Sequence, residues 1–179
     1  NENPFYDYIS EDMPTFDGGN RASGTCFTIN QKYIVIKHFQ IKNYAYGIVA
    51  GSNGYQGAGN LTFYNINMMY IGDINASYSG QGFMLGSMST STCNNSTLEN
   101  CMVVNACAEG FGINGNDNSL TNCKVYCNEN MTSSASTDYY IIVCGSYNIL
   151  TKCHVDRMAG LSHSGHGITI KSNGEHVAS

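Results

Sequence analysis

A short phrase that recurs along the chain constrains its fold more than any other sequence feature. The clearest of its five copies is Leu-Thr-Asn-Cys-Lys-Val-Tyr-Cys over residues 120–127, and the other copies begin at residues 36, 61, 98 and 150. Their shared pattern is an aliphatic residue, two polar residues, a cysteine or aromatic residue, any residue, and then valine or isoleucine. This alternation follows the strand period, and its recurrence every few tens of residues is typical of a solenoid.

A second strand is predicted after each copy of the phrase. These strands begin near residues 47, 82, 110, 141 and 167, and each is followed by a corner rich in Asn, Ser or Gly. The period of two predicts a set of inward-pointing side chains. They are Ile48 and Ala50, Phe83 and Leu85, Phe111 and Ile113, Ile142 and Cys144, and Ile168 and Ile170. The sequence therefore predicts an all-β fold, a parallel β-helix of about five to six coils.

The expected domain organisation is a single solenoid with an N-terminal segment. We assign this segment and the first strand to residues 1–30, where Pro14 and the turn at 17–20 interrupt regular structure, and the coils to residues 31–179. Val177 stands where another copy of the phrase would begin. We therefore expect an open C-terminal end, with the chain a fragment of a longer β-helix or with a partner or missing coils covering that end.

Composition excludes some classes of partner. The net charge of -5 gives no basic surface for nucleic acid, and no apolar run is long enough to span a membrane. No signal peptide is visible, which a mature or excised chain explains as well as a cytoplasmic origin does.

The eight cysteines are expected to be mainly reduced. Cys101, Cys123 and Cys153 occupy one column of the repeat, where thiols can stack inside the coil, whereas strand spacing is wide for a disulfide. Cys93 and Cys107 lie outside this column and are the candidates for exceptional chemistry. Because no CxxC pair occurs, a zinc cluster is not expected.

The cadence of Gly-Phe/Ile-x-Ile/Leu, an Asn corner and Leu-x-x-Cys-x-Val resembles the right-handed parallel β-helix proteins of the pectin-lyase-like superfamily. The resemblance covers the chain from Asp17 onward. It implies a right-handed solenoid that is secreted or exposed at the cell surface. Polysaccharide lyases, glycoside hydrolases, sugar epimerases and adhesins all belong to that superfamily, so the resemblance implies a polysaccharide partner and leaves the activity open.

Ionisable side chains are concentrated in the last coils, and we expect a catalytic site there. Outward positions of the first strand are predicted to form two rows, Gln40, Asn65, Met102, Lys124 and His154 beside Lys42, Asn67, Val104, Tyr126 and Asp156. The last members of these rows would lie within reach of one sugar ring. A lyase needs a cation, a base and an acid. We assign Arg157 as the cation, His154 or Lys171 as the base, and Tyr126 as the acid.

A second local resemblance favours hydrolysis as an alternative. The segment Ser-Gly-His-Gly-Ile-Thr-Ile-Lys over residues 164–171 is similar to the Gly-His-Gly motif of polygalacturonase-type glycoside hydrolases, which implies a catalytic role for His166. The same resemblance places Asp138 near the acidic pair of that family, with Tyr139 replacing its second member, and Glu109 at the position of another Asp. His163 joins these three as an expected substrate-binding residue.

The function predicted from sequence is action on an acidic extracellular polysaccharide, most simply as a lyase. A hydrolase and a non-catalytic glycan-binding, adhesin or tail-spike-like module stay open as alternatives. The resemblance to polysaccharide lyases implies calcium as a candidate cofactor, for which Asp156, Asp138 and Glu109 are the available ligands. Because no dense acidic cluster occurs, no metal site is assigned.

Overall fold

The computed structural model of the protein describes residues 13–51, 57–76, 80–86, 93–130, 139–161 and 165–171. In these ranges the chain forms strands and their connections without any helix, and every strand pairing is parallel. The prediction of an all-β fold is therefore confirmed. Two parallel sheets, one of them strongly curled, are compatible with the predicted solenoid.

The strands alternate between the two sheets along the chain. The curled sheet contains β1 (Thr15–Asp17), β3 (Val35–Tyr44), β5 (Thr62–Ile71), β7 (Thr97–Glu99), β8 (Met102–Ala106), β10 (Ser119–Thr121), β11 (Lys124–Cys127), β13 (Ile149–Thr151) and β14 (His154–Arg157). The second sheet contains β2 (Thr25–Ile29), β4 (Tyr46–Ala50), β6 (Gln81–Leu85), β9 (Glu109–Ile113), β12 (Tyr139–Val143) and β15 (His166–Ile170).

The curled sheet bends because its repeats turn through left-handed residues. One half of β5 pairs with β7 and the other half with β8, so two arms, β7-β10-β13 and β8-β11-β14, leave the same strand. The predicted single strand in each repeat is thus two short strands in the later coils. The residues at this corner have positive φ, which Asn tolerates better than most residues. They are His38, Asn65, Asn100, Asn122 and Lys152.

The core is a stack of apolar side chains between the sheets. Phe63, Phe83 and Phe111 are fully buried, and the last two rings stack with their centroids 5.0 Å apart. Burial of large aromatic side chains of this kind contributes most of the driving force for folding.

The inward assignment was wrong for one strand. In β12, Ile141 and Val143 belong to the core, whereas Ile142 and Cys144 form a separate cluster on the other side of the sheet. The physical reason is the register of β12 with β9, in which Ile141 lies opposite Phe111 and Val143 lies opposite Ile113, so the inward positions are one residue earlier than expected. Tyr140, which packs into the core beside Ile141, stands where β9 has Gly110, and the missing glycine hid this register from the sequence pattern.

The cysteines are present as free thiols, as the sequence predicts. The Cys101, Cys123 and Cys153 thiols each donate to a carbonyl oxygen of the preceding coil, over distances of 3.8, 3.5 and 3.5 Å. The predicted thiol stack is confirmed.

The N-terminal segment is more regular than its prolines and glycines suggest. Strand β1 pairs with residues 40–42 of β3, and β2 pairs with β4, so both continue the sheets. The boundary at residue 30 stays a prediction. As for membranes, no helix with the length and apolarity of a membrane span occurs in the described ranges.

Candidate functional site

The outward face of β11 and β14 brings four of the predicted site residues together. Lys124 lies in register with His154, and Tyr126 lies in register with Asp156. Both residues of β11 are half-buried, whereas both residues of β14 are exposed. Neighbouring strands lie about 4.8 Å apart, so the four side chains cover an area comparable to one sugar ring. We call this set of four residues the β11–β14 face.

In the preceding coils, the residues at the equivalent outward positions are apolar and buried from solvent. Met102 and Val104 are buried there and pack with Met69 and Tyr126. The expected rows were wrong in one coil, since Asn67, not Asn65, lies beside Met102. The reason is the left-handed corner at Asn65, which the sequence pattern does not mark as the end of a strand half.

Arg157 is the residue after Asp156, and its position in β14 belongs to the opposite, core-facing side of the strand. It is in register with Cys127, a buried core residue, and its backbone N–H donates to the Asp156 Oδ1 atom over 2.8 Å. Burial raises the pKa of the Tyr140 hydroxyl. Cys127 and Asp156 raise this pKa further, while Arg157 lowers it. Arg157 and Asp156 therefore both lie near Tyr140. The sequence did not identify this residue, because the glycine that marks its position in the other repeats is absent from β12.

The alternative site lies along one register row of the second sheet. Glu109, Tyr139 and His166 occupy one row across β9, β12 and β15. The Glu109 side chain is buried and His166 is exposed. These three residues, which the polygalacturonase-type resemblance selected, therefore share one register position.

Lys171 belongs to this second face and not to the β11–β14 face. Its backbone N–H donates to the Val143 carbonyl oxygen over 3.0 Å. Burial raises the pKa of the Cys144 thiol, and so does the Glu109 carboxylate, whereas Lys171 lowers it. His154 and Lys171, the two predicted bases, are therefore on different sheets. Two further predicted residues, Asp138 and His163, lie outside the described part of the chain.

One charged cluster was not predicted at all. The Arg21 guanidinium donates to Glu129 Oε2 over 2.7 Å, and its other N–H groups reach the carbonyl oxygens of Gly72 and Asn105 and the sulfur of Cys107. Arg21 thereby ties the N-terminal segment to the coils behind it. A lone arginine in a glycine-rich segment carries no sequence signal for such distant contacts.

No conventional metal cluster is formed by the described side chains. No group of three or more His, Cys, Asp or Glu residues among them is arranged to hold an ion.

A scan against protein-family models, a search of curated proteins and a search of solved structures each find no match to this chain.

Proposed function

We propose that this chain is a right-handed parallel β-helix that acts outside the cell on an acidic polysaccharide, as a lyase with its site on the β11–β14 face. The observation that carries the proposal is the register of β11 and β14, which places Lys124 beside His154 and Tyr126 beside Asp156. Among the residues that the structure describes, the face becomes polar and accessible at these last two coils, because the preceding coil has the buried Met102 at the same position.

The proposed reaction is β-elimination. Arg157 and Lys124 offset the negative charge of a uronate carboxylate, which makes the proton on the adjacent carbon more acidic. His154 removes that proton. The electron pair left behind forms a carbon–carbon double bond as the glycosidic oxygen departs, and Tyr126 protonates the departing oxygen. The products are an unsaturated uronate and a new reducing end.

A hydrolase is the second candidate, and the row of Glu109, Tyr139 and His166 favours it. Hydrolysis by carboxylic acids requires two acidic side chains that reach the glycosidic bond. Glu109 is only 5% exposed, so a polymer reaches it less readily than it reaches His154 and Asp156. This difference in access favours the lyase over the hydrolase.

An extracellular location is compatible with the thiols. Most of them are buried, and burial raises the pKa of Cys93, Cys107 and Cys144. Thiols held protonated in this way react slowly with oxidants and disulfides.

A panel of pectate, alginate, glycosaminoglycans and sulfated algal glycans, each with and without calcium, tests the proposal. The ultraviolet absorbance of unsaturated uronate and the number of new reducing ends are followed together. Equal growth of both signals is expected from a lyase. Reducing ends without absorbance indicate the hydrolase, and binding without either signal indicates a glycan-binding module, so each of these results contradicts the lyase proposal.

A further inference from the structure

The connection between β1 and β2, residues 18–24, is an exposed turn with one residue that is partly buried. Every residue of this segment is exposed except Arg21, which is half-buried. Gly19 and Gly24 stand near its two ends with positive φ, and no atom lies within 4 Å of the point where a Cβ atom on Gly19 would stand. The two glycines are suited to act as hinges, because glycine adopts many backbone conformations at little cost.

The backbone at the tip of this connection is tied only to itself. In the described part of the chain, residues 19–22 make backbone hydrogen bonds only within residues 17–23. The two ends are tied more firmly, because the Gly18 N–H donates to β3 over 3.0 Å and the Gly24 carbonyl oxygen accepts from β4 over 3.1 Å. Segments that share few hydrogen bonds with the rest of a fold are the ones that open locally.

The Arg21 side chain holds this tip against three neighbouring strands. Its Nε atom donates to the Gly72 carbonyl oxygen over 2.7 Å, and one terminal nitrogen donates to Glu129 Oε2 over 2.7 Å. The other terminal nitrogen lies 3.2 Å from the Asn105 carbonyl oxygen and 3.5 Å from the Cys107 sulfur. These partners lie at the ends of β5, β8 and β11, which are neighbours in the curled sheet. One guanidinium group therefore spans three coils.

The ion pair between Arg21 and Glu129 is the strongest of these contacts. The two side chains are 17% and 30% exposed, so water and salt screen this pair less than they screen an exposed pair. The planar guanidinium fork reaches several acceptors at once, which a single ammonium group does not. When the tip moves away, water can donate to the carbonyl oxygens that Arg21 leaves. The Arg21 contacts therefore decide how often the tip opens.

We propose that residues 18–24 form a strap over the corner where β5, β8 and β11 end, closed in this structure by Arg21 and opened when the ion pair with Glu129 breaks. Opening uncovers the Glu129 carboxylate, two backbone carbonyl oxygens and the Cys107 thiol, which is 1% exposed in the closed state. The strap thereby controls access to this corner. It uses no residue of the β11–β14 face, so it does not depend on the proposed function.

The rate at which a maleimide alkylates Cys107 measures the opening, with each cysteine followed by peptide mass spectrometry at one fixed pH. In wild-type protein Cys107 is expected to react faster than Cys123, which is 0% exposed and is reached only when the core opens. Glu129→Gln should raise the Cys107 rate at least about tenfold relative to the Cys123 rate, because it removes a charge-assisted hydrogen bond. Arg21→Lys should raise this ratio less than Arg21→Gln, since it keeps the charge. If Arg21→Gln does not fold, the other two variants decide.

The matched control is Lys42→Gln, which removes the second ion pair of this region. The Lys42 Nζ atom lies 3.2 Å from Asp17 Oδ2, and the two side chains are 37% and 44% exposed, so the ratio of the Cys107 and Cys123 rates should stay within about twofold of wild type. Equal rates for the two thiols in wild-type protein would overturn the proposal, because Cys107 would then be reached only through the opened core. An unchanged ratio in Glu129→Gln would overturn it as well.

Discussion

Two buried side chains, Tyr140 and Cys107, carry polar groups that the interior does not fully satisfy. The Tyr140 hydroxyl is buried and makes no hydrogen bond to the residues that the structure describes. The Cys107 thiol lies 3.5 Å from an Arg21 nitrogen, yet burial still raises the pKa of Cys107 to about 11. Each group therefore predicts a measurable effect on stability that can be separated from packing.

Tyr140→Phe is expected to increase the free energy of unfolding by about 1 kcal/mol, because it removes a buried unsatisfied hydroxyl and keeps the ring. Urea denaturation at neutral pH measures this difference through the midpoint. Tyr33→Phe is the matched control, since Tyr33 is 77% exposed and its change should be close to zero. A clear loss of stability in Tyr140→Phe would mean that the hydroxyl has a native partner.

Cys107→Ser is expected to change the pH dependence of stability. The thiol pKa rises from 9.0 in the unfolded chain to about 11 in the native state. Since the folded pKa is the higher one, the native state holds the proton more tightly between these values. The contribution of the Cys107 thiol to the free energy of unfolding is fully present below pH 9 and is lost as the pH rises to 11. Wild-type protein should therefore lose about 2 kcal/mol more than Cys107→Ser across this window. Parallel pH profiles of the two proteins would contradict the assignment.

At the scale of the strands, closely packed glycines set how near the two sheets can approach. Gly47, Gly82 and Gly110 occupy one column of the second sheet. A Cβ atom on Gly82 would stand 2.7 Å from the Gly110 carbonyl oxygen and 2.9 Å from the Val103 methyl groups. Relief of both contacts requires β6 to move away from β9 in its own sheet and from β8 in the curled sheet, so this column limits how closely the strands and the sheets pack.

Gly82→Ala is expected to lower the free energy of unfolding by about 3 kcal/mol, the upper part of the range for overpacking. Thermal and urea denaturation both measure this loss. Gly57→Ala is the matched control because its nearest neighbour would be 3.8 Å away, and it should change stability by less than about 0.5 kcal/mol. If Gly82→Ala and Gly57→Ala have the same free energy of unfolding, the added methyl group at residue 82 is accommodated without loss, which contradicts the prediction.

At the scale of the whole molecule, the sequence predicted the features that repeat and missed those that do not. The phrase around Cys123 predicted the strands and the thiol stack, because identical neighbours in register leave a periodic signal. The outward position of Ile142 was missed because Tyr140 replaces the glycine that marks the register in the neighbouring strands, and the contacts of Arg21 join segments that are distant in the chain. Such single events have no period.

The candidate site shows the same division. Register could be predicted for Lys124 with His154 and for Tyr126 with Asp156, because both pairs follow the repeat directly. The separation of Lys171 from His154 could be predicted as well, because Lys171 follows the second strand of its repeat and His154 begins the first strand. The burial of Glu109 depends on how its side chain folds over Gly112.

The most direct test of the account compares two histidines on opposite sheets. Initial rates of β-elimination are measured for wild-type protein, His154→Gln and His166→Gln, on the acidic glycan that the panel identifies. The account predicts that His154→Gln loses about 100-fold or more of the rate, as expected for a general base, while His166→Gln stays within a few-fold of wild type. Retention of the rate in His154→Gln, or its loss in His166→Gln alone, would contradict the assignment of the β11–β14 face as the site of chemistry.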